Sequence, residues 1–155
     1  MNRDAGRLGA AQHWFRVELP SDPAMLPWVS HGLRTFLRAS GWSRRDTFRI
    51  DLAVNEAMHN AITHGNSRRA DRTVELVVSD VEDGVWFDVV DRGNGFDVGR
   101  LQSVTERNRE MLEGGRGVAL MLRLMDNVEV VRGPGENRVR MWKTRPGAME
   151  MRKAG

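Results

Sequence analysis

The stretch Asp51-Leu-Ala-Val-Asn-Glu-Ala-Met-His-Asn-Ala-Ile-Thr-His-Gly65 constrains this chain most. It reads as the last turns of one helix, on which Glu56, Asn60 and His64 stand four residues apart and form a single polar stripe. Leu52, Ala53, Val54, Ala57, Met58, Ala61 and Ile62 around the stripe are small or apolar. Such a helix is expected to be covered on most sides, with a carboxylate, a carboxamide and an imidazole lining a cleft.

The flanking patterns build a layer for that helix to lie on. Phe15, Val17 and Leu19 alternate with polar residues, the period of a half-buried strand that Pro20 ends. Ser21-Asp22-Pro23 then starts a helix expected over 23–39, with Gly41 after its end. Ser43 or Asp46 caps the second helix, which is expected to reach His64 and stop at Gly65-Asn66. Residues 73–79 and 85–90 read as strands joined by a turn at Glu82-Asp83-Gly84. From 96 to 114 no clear period survives, and so long a patternless segment reads as a functional lid, expected to be poorly ordered without ligand. A third, nearly all-apolar helix is expected over 118–125, and residues 128–131 and 138–144 flank Gly133-Pro-Gly-Glu-Asn137 as a last hairpin. This order gives an α+β fold, a two-layer sandwich with helices on one face of a mixed, mostly antiparallel sheet. Residues 12–145 are expected to form the domain, with 1–11 a flexible N-terminus and 146–155 a flexible tail.

Composition narrows what such a domain does. At 155 residues the chain is a single domain with room for a sizeable core, and the absence of cysteine excludes both disulfides and thiolate metal sites. No signal-peptide core follows Met1, and no apolar run approaches the roughly 18 residues of a spanning helix, so a soluble, cytoplasmic protein is expected. The net charge is +3, yet residues 132–155 hold seven basic residues against two acids and so carry +5, leaving −2 for the preceding 131. The excess is a C-terminal feature without interleaved aromatics, which argues against direct nucleic-acid binding.

Two glycine-lined bends complete the constellation. Asp91-x-Gly93-x-Gly95 stands at a strand exit, where glycine lets a ligand lie against the main chain. Gly115-Arg116-Gly117 opens a helix whose free N–H groups and positive dipole end suit a phosphate. Asn60, one turn beyond Glu56, offers the hard oxygen that magnesium accepts while keeping water and phosphate ligands. Each feature alone is ordinary, but the three in this order are not.

Together these motifs resemble the N, G1 and G2 boxes of the GHKL ATPase superfamily, which has the Bergerat ATP-binding fold. The contexts Asn55-Glu56-Ala57, Asp91-Arg92-Gly93 and Gly114-Gly115-Arg116-Gly117, with Leu124-Met125-Asp126 after them, are most similar to anti-sigma factor serine/threonine protein kinases of the RsbW and SpoIIAB type. The resemblance covers about residues 13–144, and it implies ATP and Mg2+ as cofactors. It implies that Asp91 accepts a hydrogen bond from the adenine amino group, that Gly93 and Gly95 shape the base pocket, and that Asn60 holds the metal on the phosphates. Gly115, Arg116 and Gly117 would contact the phosphate tail, and Thr144 would help to bind adenine. Glu56 would be the general base for a serine hydroxyl, a role the spacing also supports, since a carboxylate one turn from the metal ligand can reach an in-line nucleophile. His64 is either a nucleotide contact or a histidine favoured by the helix C-terminal dipole.

By the same resemblance the partners are a sigma factor, a STAS-domain antagonist phosphorylated on serine, and a second copy in a homodimer. A rival reading is a nucleotide-gated binding module without significant kinase activity, which an intact Glu56 disfavours. Asp88 and Asp97, beside the first glycine bend, read as solvated or turn residues.

Overall fold

The computed structural model describes residues 11–93, 116–133 and 135–148. The expected lid, most of the expected N-terminal arm and most of the tail lie outside the described residues. Five strands, β1 (His13–Pro20), β2 (Thr73–Val81), β3 (Gly84–Asp91), β4 (Asn127–Gly133) and β5 (Glu136–Thr144), form one sheet in the order β1-β2-β3-β5-β4. Every pairing is antiparallel, so the mostly antiparallel sheet expected has no parallel pair among the described residues.

Period-two alternation sets the register, because a slip by one residue would turn the apolar set to the wrong face. One row crosses the whole sheet: Val17 opposite Leu76, Leu76 opposite Val89, Val89 opposite Val139, and Val139 opposite Val130. Among the described residues three α-helices cover that face, α1 (Leu26–Ala39), α2 (Arg44–Asn60) and α3 (Arg116–Leu124). Leu33, Leu37, Ile50, Val54, Met58, Ile62 and Met121 are sealed between the layers. Burying each such side chain contributes about 1.5–3 kcal/mol.

Local chemistry sets the helix ends. Asp22 accepts a hydrogen bond from Ala24 N (2.9 Å), which opens a 3-10 turn over Pro23–Met25 ahead of α1. Gly41 closes α1 with φ of +83°; its N–H reaches Arg38 O at 3.2 Å while Trp42 N reaches Leu37 O at 3.0 Å, the paired bonds of a glycine-terminated helix. Of the two candidate caps for α2, Ser43 is the one used: its Oγ accepts from Asp46 N (3.0 Å) and donates to Asp46 Oδ2 (2.6 Å).

Two buried ionic networks hold α2 in place. Asp51 accepts from Ser30 Oγ (2.7 Å), Arg34 Nε (2.6 Å) and Asn55 Nδ2 (2.9 Å), which ties α1 to α2. Asp80 accepts from Trp42 Nε1 (3.0 Å) and Arg145 Nη2 (2.7 Å), and the Arg145 guanidinium lies over the Trp42 ring at 4.7 Å. This second network joins the α1–α2 turn to the end of β5. On the sheet face opposite α1, α2 and α3, Asp88 is buried and bound by Arg140 through Nε (2.6 Å) and Nη2 (3.1 Å). It is therefore a structural ion-pair residue rather than a solvated one.

Candidate functional site

Glu56 and Asn60 stand one turn apart near the end of α2, both half-buried. Neither side chain has a hydrogen-bond partner among the described residues, although the neighbouring Asn55 donates through Nδ2 to Asp51 O and Oδ1 (both 2.9 Å). A carboxylate and a carboxamide left unpaired side by side are what a ligand site requires and a packing face avoids.

Beyond Asn60 the helix changes its pitch. Residues Ala61–Gly65 form a π turn, closed by Asn66 N donating to Ala61 O at 2.8 Å. The wider turn sets His64 out of line with Glu56 and Asn60, and His64 is exposed. His64, the third member of the expected stripe, therefore leaves the line of the other two at the helix terminus.

The π turn presses the end of α2 against the exit of β3. A Cβ on Gly65 would lie 2.4 Å from Asp91 Cγ, and a Cβ on Gly93 would lie 1.5 Å from Gly65 O. Only two glycines allow the backbones to approach this closely. Asp91 itself is 4% exposed. Its Oδ1 accepts from Gly93 N (2.9 Å) and from Asn137 Nδ2 (2.9 Å), whereas Oδ2 receives no hydrogen bond from a described residue. A fixed carboxylate with one spoken-for oxygen and one open oxygen can accept from an amino group such as that of adenine.

Two asparagines that motif reading passed over hold this bend. Asn137 lies directly opposite Asp91 in the β3–β5 ladder and also donates to Gly93 O at 3.1 Å. Asn66 is fully buried; its Nδ2 donates to Ser21 Oγ (2.6 Å) and Thr73 O (2.8 Å), and its Oδ1 accepts from Arg92 N (3.1 Å). One side chain thereby ties the α2 terminus to β1, β2 and the Asp91 bend. Its sequence signal was present as Gly65-Asn66, where a helix stops. Asn137 had none, because it reads as part of a turn while the structure places it in β5.

Gly117 brings the third element to the site. A Cβ there would stand 1.9 Å from Glu56 Oε1, so the carboxylate lies against the first turn of α3, where the helix dipole favours negative charge. Gly95 and Gly115 lie outside the described residues, as does the side chain of Arg116.

Thr144 is a correction. It pairs with Gly84, whereas Asp91 pairs with Asn137, so Thr144 and Asp91 occupy opposite ends of the ladder, about 23 Å apart by strand rise. Its N–H donates to Asp126 Oδ2 (2.7 Å) and its hydroxyl accepts from Trp142 Nε1 (3.1 Å). It closes the far edge of the sheet and does not reach the Asp91 bend.

A magnesium ion fits this donor set in one way. Among the described residues no three His, Cys, Asp or Glu side chains converge as a metal cage. The unpaired Asn60 amide supplies a single oxygen, which suits an ion that brings waters and phosphate oxygens as its remaining ligands.

Comparison with known proteins agrees with this geometry. Residues 19–143 match the histidine kinase-like ATPase domain. The chain is 30% identical over 128 residues to the serine-protein kinase RsbW of Bacillus licheniformis, covering 77% of this chain and 79% of that protein. It is 34% identical over 83 residues to the anti-sigma F factor of Clostridium beijerinckii, covering 52% and 58% respectively. The RsbU and RsbW domains of Rv1364c from Mycobacterium tuberculosis superpose with a TM-score of 0.64 at 19% identity, over 87% of this chain and 34% of that one, a likeness of fold. With Asp91, Gly93, Glu56 and Asn60 gathered around the end of one helix, and with a match across most of its length, the chain belongs to the histidine kinase-like ATPase domain family.

Proposed function

We propose that this protein is an ATP-binding anti-sigma factor and protein serine kinase, which holds a sigma factor and phosphorylates a STAS-domain antagonist on serine. The observation that carries the reading is a set of three polar side chains near the end of α2 with open groups among the described residues. Among the described residues, Asp91 Oδ2, Glu56 and Asn60 have no hydrogen-bond partner. The relatives named serine-protein kinase and anti-sigma F factor support the same activity.

In this reading Asp91 accepts from the adenine amino group, with Gly93 and Gly95 lining the base and Gly115, Arg116 and Gly117 facing the phosphates. Asn60 would hold magnesium, which would supply charge neutralisation to the transferred phosphoryl group. Glu56 takes the proton as the serine oxygen bonds to the γ-phosphorus and the bond to the ADP oxygen breaks. No helix among the described residues is long and apolar enough to cross a membrane, and the cytoplasm, where sigma factors act, is the proposed location. A homodimer is part of the proposal: the sheet face opposite α1, α2 and α3 offers the Trp86–Trp142 pair (4.6 Å between rings) and the 53%-exposed Trp14 as apolar surface.

The test uses γ-labelled ATP, magnesium and each purified STAS-domain protein of the source organism. Label is expected on a serine of one of them. It should be lost in Glu56→Gln with ATP binding retained. Undiminished transfer by that variant removes Glu56 as the base, and no transfer by wild type leaves the nucleotide-gated binding module.

A further inference from the structure

α2 has an outward ridge that the fold does not use. Its core-facing and neighbour-facing positions are Thr47, Ile50, Asp51, Ala53, Val54, Ala57 and Met58, all buried. Phe48 is nevertheless 61% exposed and Leu52 38% exposed, although Leu52 reads from sequence as part of the helix's apolar cover. The two are four residues apart and so form one ridge, with Glu56 a further four residues along and close to the same line.

The ridge has a basic border. Arg44 and Arg45 are exposed and Arg49 is half-buried, and none has an acidic partner among the described residues. The nearest acids in sequence are occupied, Asp46 with the Ser43 cap and Asp51 with Ser30, Arg34 and Asn55. An apolar ridge bordered along one side by guanidinium groups without an acidic partner among the described residues suits a protein surface that is apolar within and acidic at that border.

We propose that this ridge docks the phosphoacceptor protein and thereby sets its serine at Glu56, an inference that rests on the kinase reading above. The distance favours the acceptor over other partners. Phe48 lies about 12 Å along the helix axis from Glu56, eight residues at the helical rise. A standard interface buries roughly 800 Å² per partner, a patch about 16 Å in radius. A protein centred on Phe48 and Leu52 therefore overlies Glu56, which is required of the molecule that surrenders a proton there and of no other partner.

The test measures steady-state phosphorylation of the STAS-domain protein that accepts label from wild type, using the full chain. Phe48→Ala with Leu52→Ala removes the apolar centre while keeping good helix formers, and Arg45→Glu reverses one border charge. Each variant is expected to raise KM for the acceptor about tenfold or more, with kcat at saturating acceptor and ATP affinity within twofold of wild type. Arg45→Glu should also flatten the rise of KM with salt. Unchanged KM in both variants overturns the proposal while leaving the kinase reading intact. A loss of sigma-factor affinity with KM unchanged overturns it too, by assigning the ridge to that partner. Absence of transfer by wild type overturns the kinase reading, and the docking inference falls with it.

Discussion

Gly65→Ala tests how the site is assembled, because one methyl group enters where helix and strand touch. The new Cβ would stand 2.4 Å from Asp91 Cγ and 2.5 Å and 2.6 Å from its oxygens, whereas ordinary contact begins at 3.4 Å. The carboxylate must therefore retreat by about 1 Å, and it is held on both sides. Asp91 Oδ1 is fixed by Gly93 N and by Asn137 Nδ2, and its backbone is paired with Val74 in β2 and with Asn137 in β5. Overpacking of this kind costs about 1–3 kcal/mol. Replacing glycine in a helical turn returns about 0.5–1 kcal/mol, so a net destabilisation of about 1–2 kcal/mol is expected. The effect on ligand should be larger. A hydrogen bond to a charged group is worth about 1.5–3 kcal/mol, so misplacing Asp91 should weaken ATP binding ~10- to 100-fold. Urea unfolding gives the first quantity and calorimetric titration with ATP the second. ATP affinity within threefold of wild type in a folded variant would refute the claim that Gly65 exists to seat Asp91.

Three further outcomes follow from other parts of the fold. Gly32→Ala adds a methyl that meets nothing within 4 Å on an exposed face of α1, so it should stabilise by about 0.5–1 kcal/mol in urea unfolding; a loss would mean that face is covered. Arg145→Ala leaves buried Asp80 without its charged partner and strips the cation from Trp42, so stability should fall by about 3 kcal/mol; a change below 1 kcal/mol would deny that network its structural role. At Asp126, burial works against ionisation but is outweighed by hydrogen bonds from Thr144 N and Lys143, which hold its carboxyl below the ordinary 3.8. A lowered folded-state value contributes stability above that pH and loses it as pH falls through and below it, so Asp126→Asn should flatten the acid limb of stability slightly, the group being 41% exposed.

The parts of the fold with a period were legible in the sequence, and the parts made by contact across the chain were not. Strands β1 to β3 follow from alternation such as Phe15, Val17 and Leu19, whereas Asp22-Pro23, read as the start of the first helix, opens a 3-10 turn and α1 itself begins at Leu26. The π turn over Ala61–Gly65 has no local signal, because it arises where Gly65 must meet Asp91, 26 residues later. Glu56, Asn60 and Asp91 are candidates from spacing and resemblance, and the structure sets Glu56 against Gly117 and Asp91 against Gly65. Thr144 and Asn137 were exchanged in role for a single reason: chain order does not say which end of β5 adjoins the Asp91 bend, and only the ladder register does. Phe48 and Leu52 show the converse limit, since an apolar residue on a helix reads as cover whether or not anything in the chain covers it.

The account depends most on Asp91 reading the amino group of adenine through its open Oδ2. Adenine offers a donor at that position and guanine an acceptor, which the carboxylate repels. Calorimetric titration of wild type and Asp91→Asn with ATP and with GTP, each with magnesium, is the direct measurement. Wild type should bind ATP at least tenfold more tightly than GTP, and the substitution should weaken ATP and erase most of that difference. Equal binding of the two nucleotides by wild type, or ATP binding undiminished in Asp91→Asn, would contradict it.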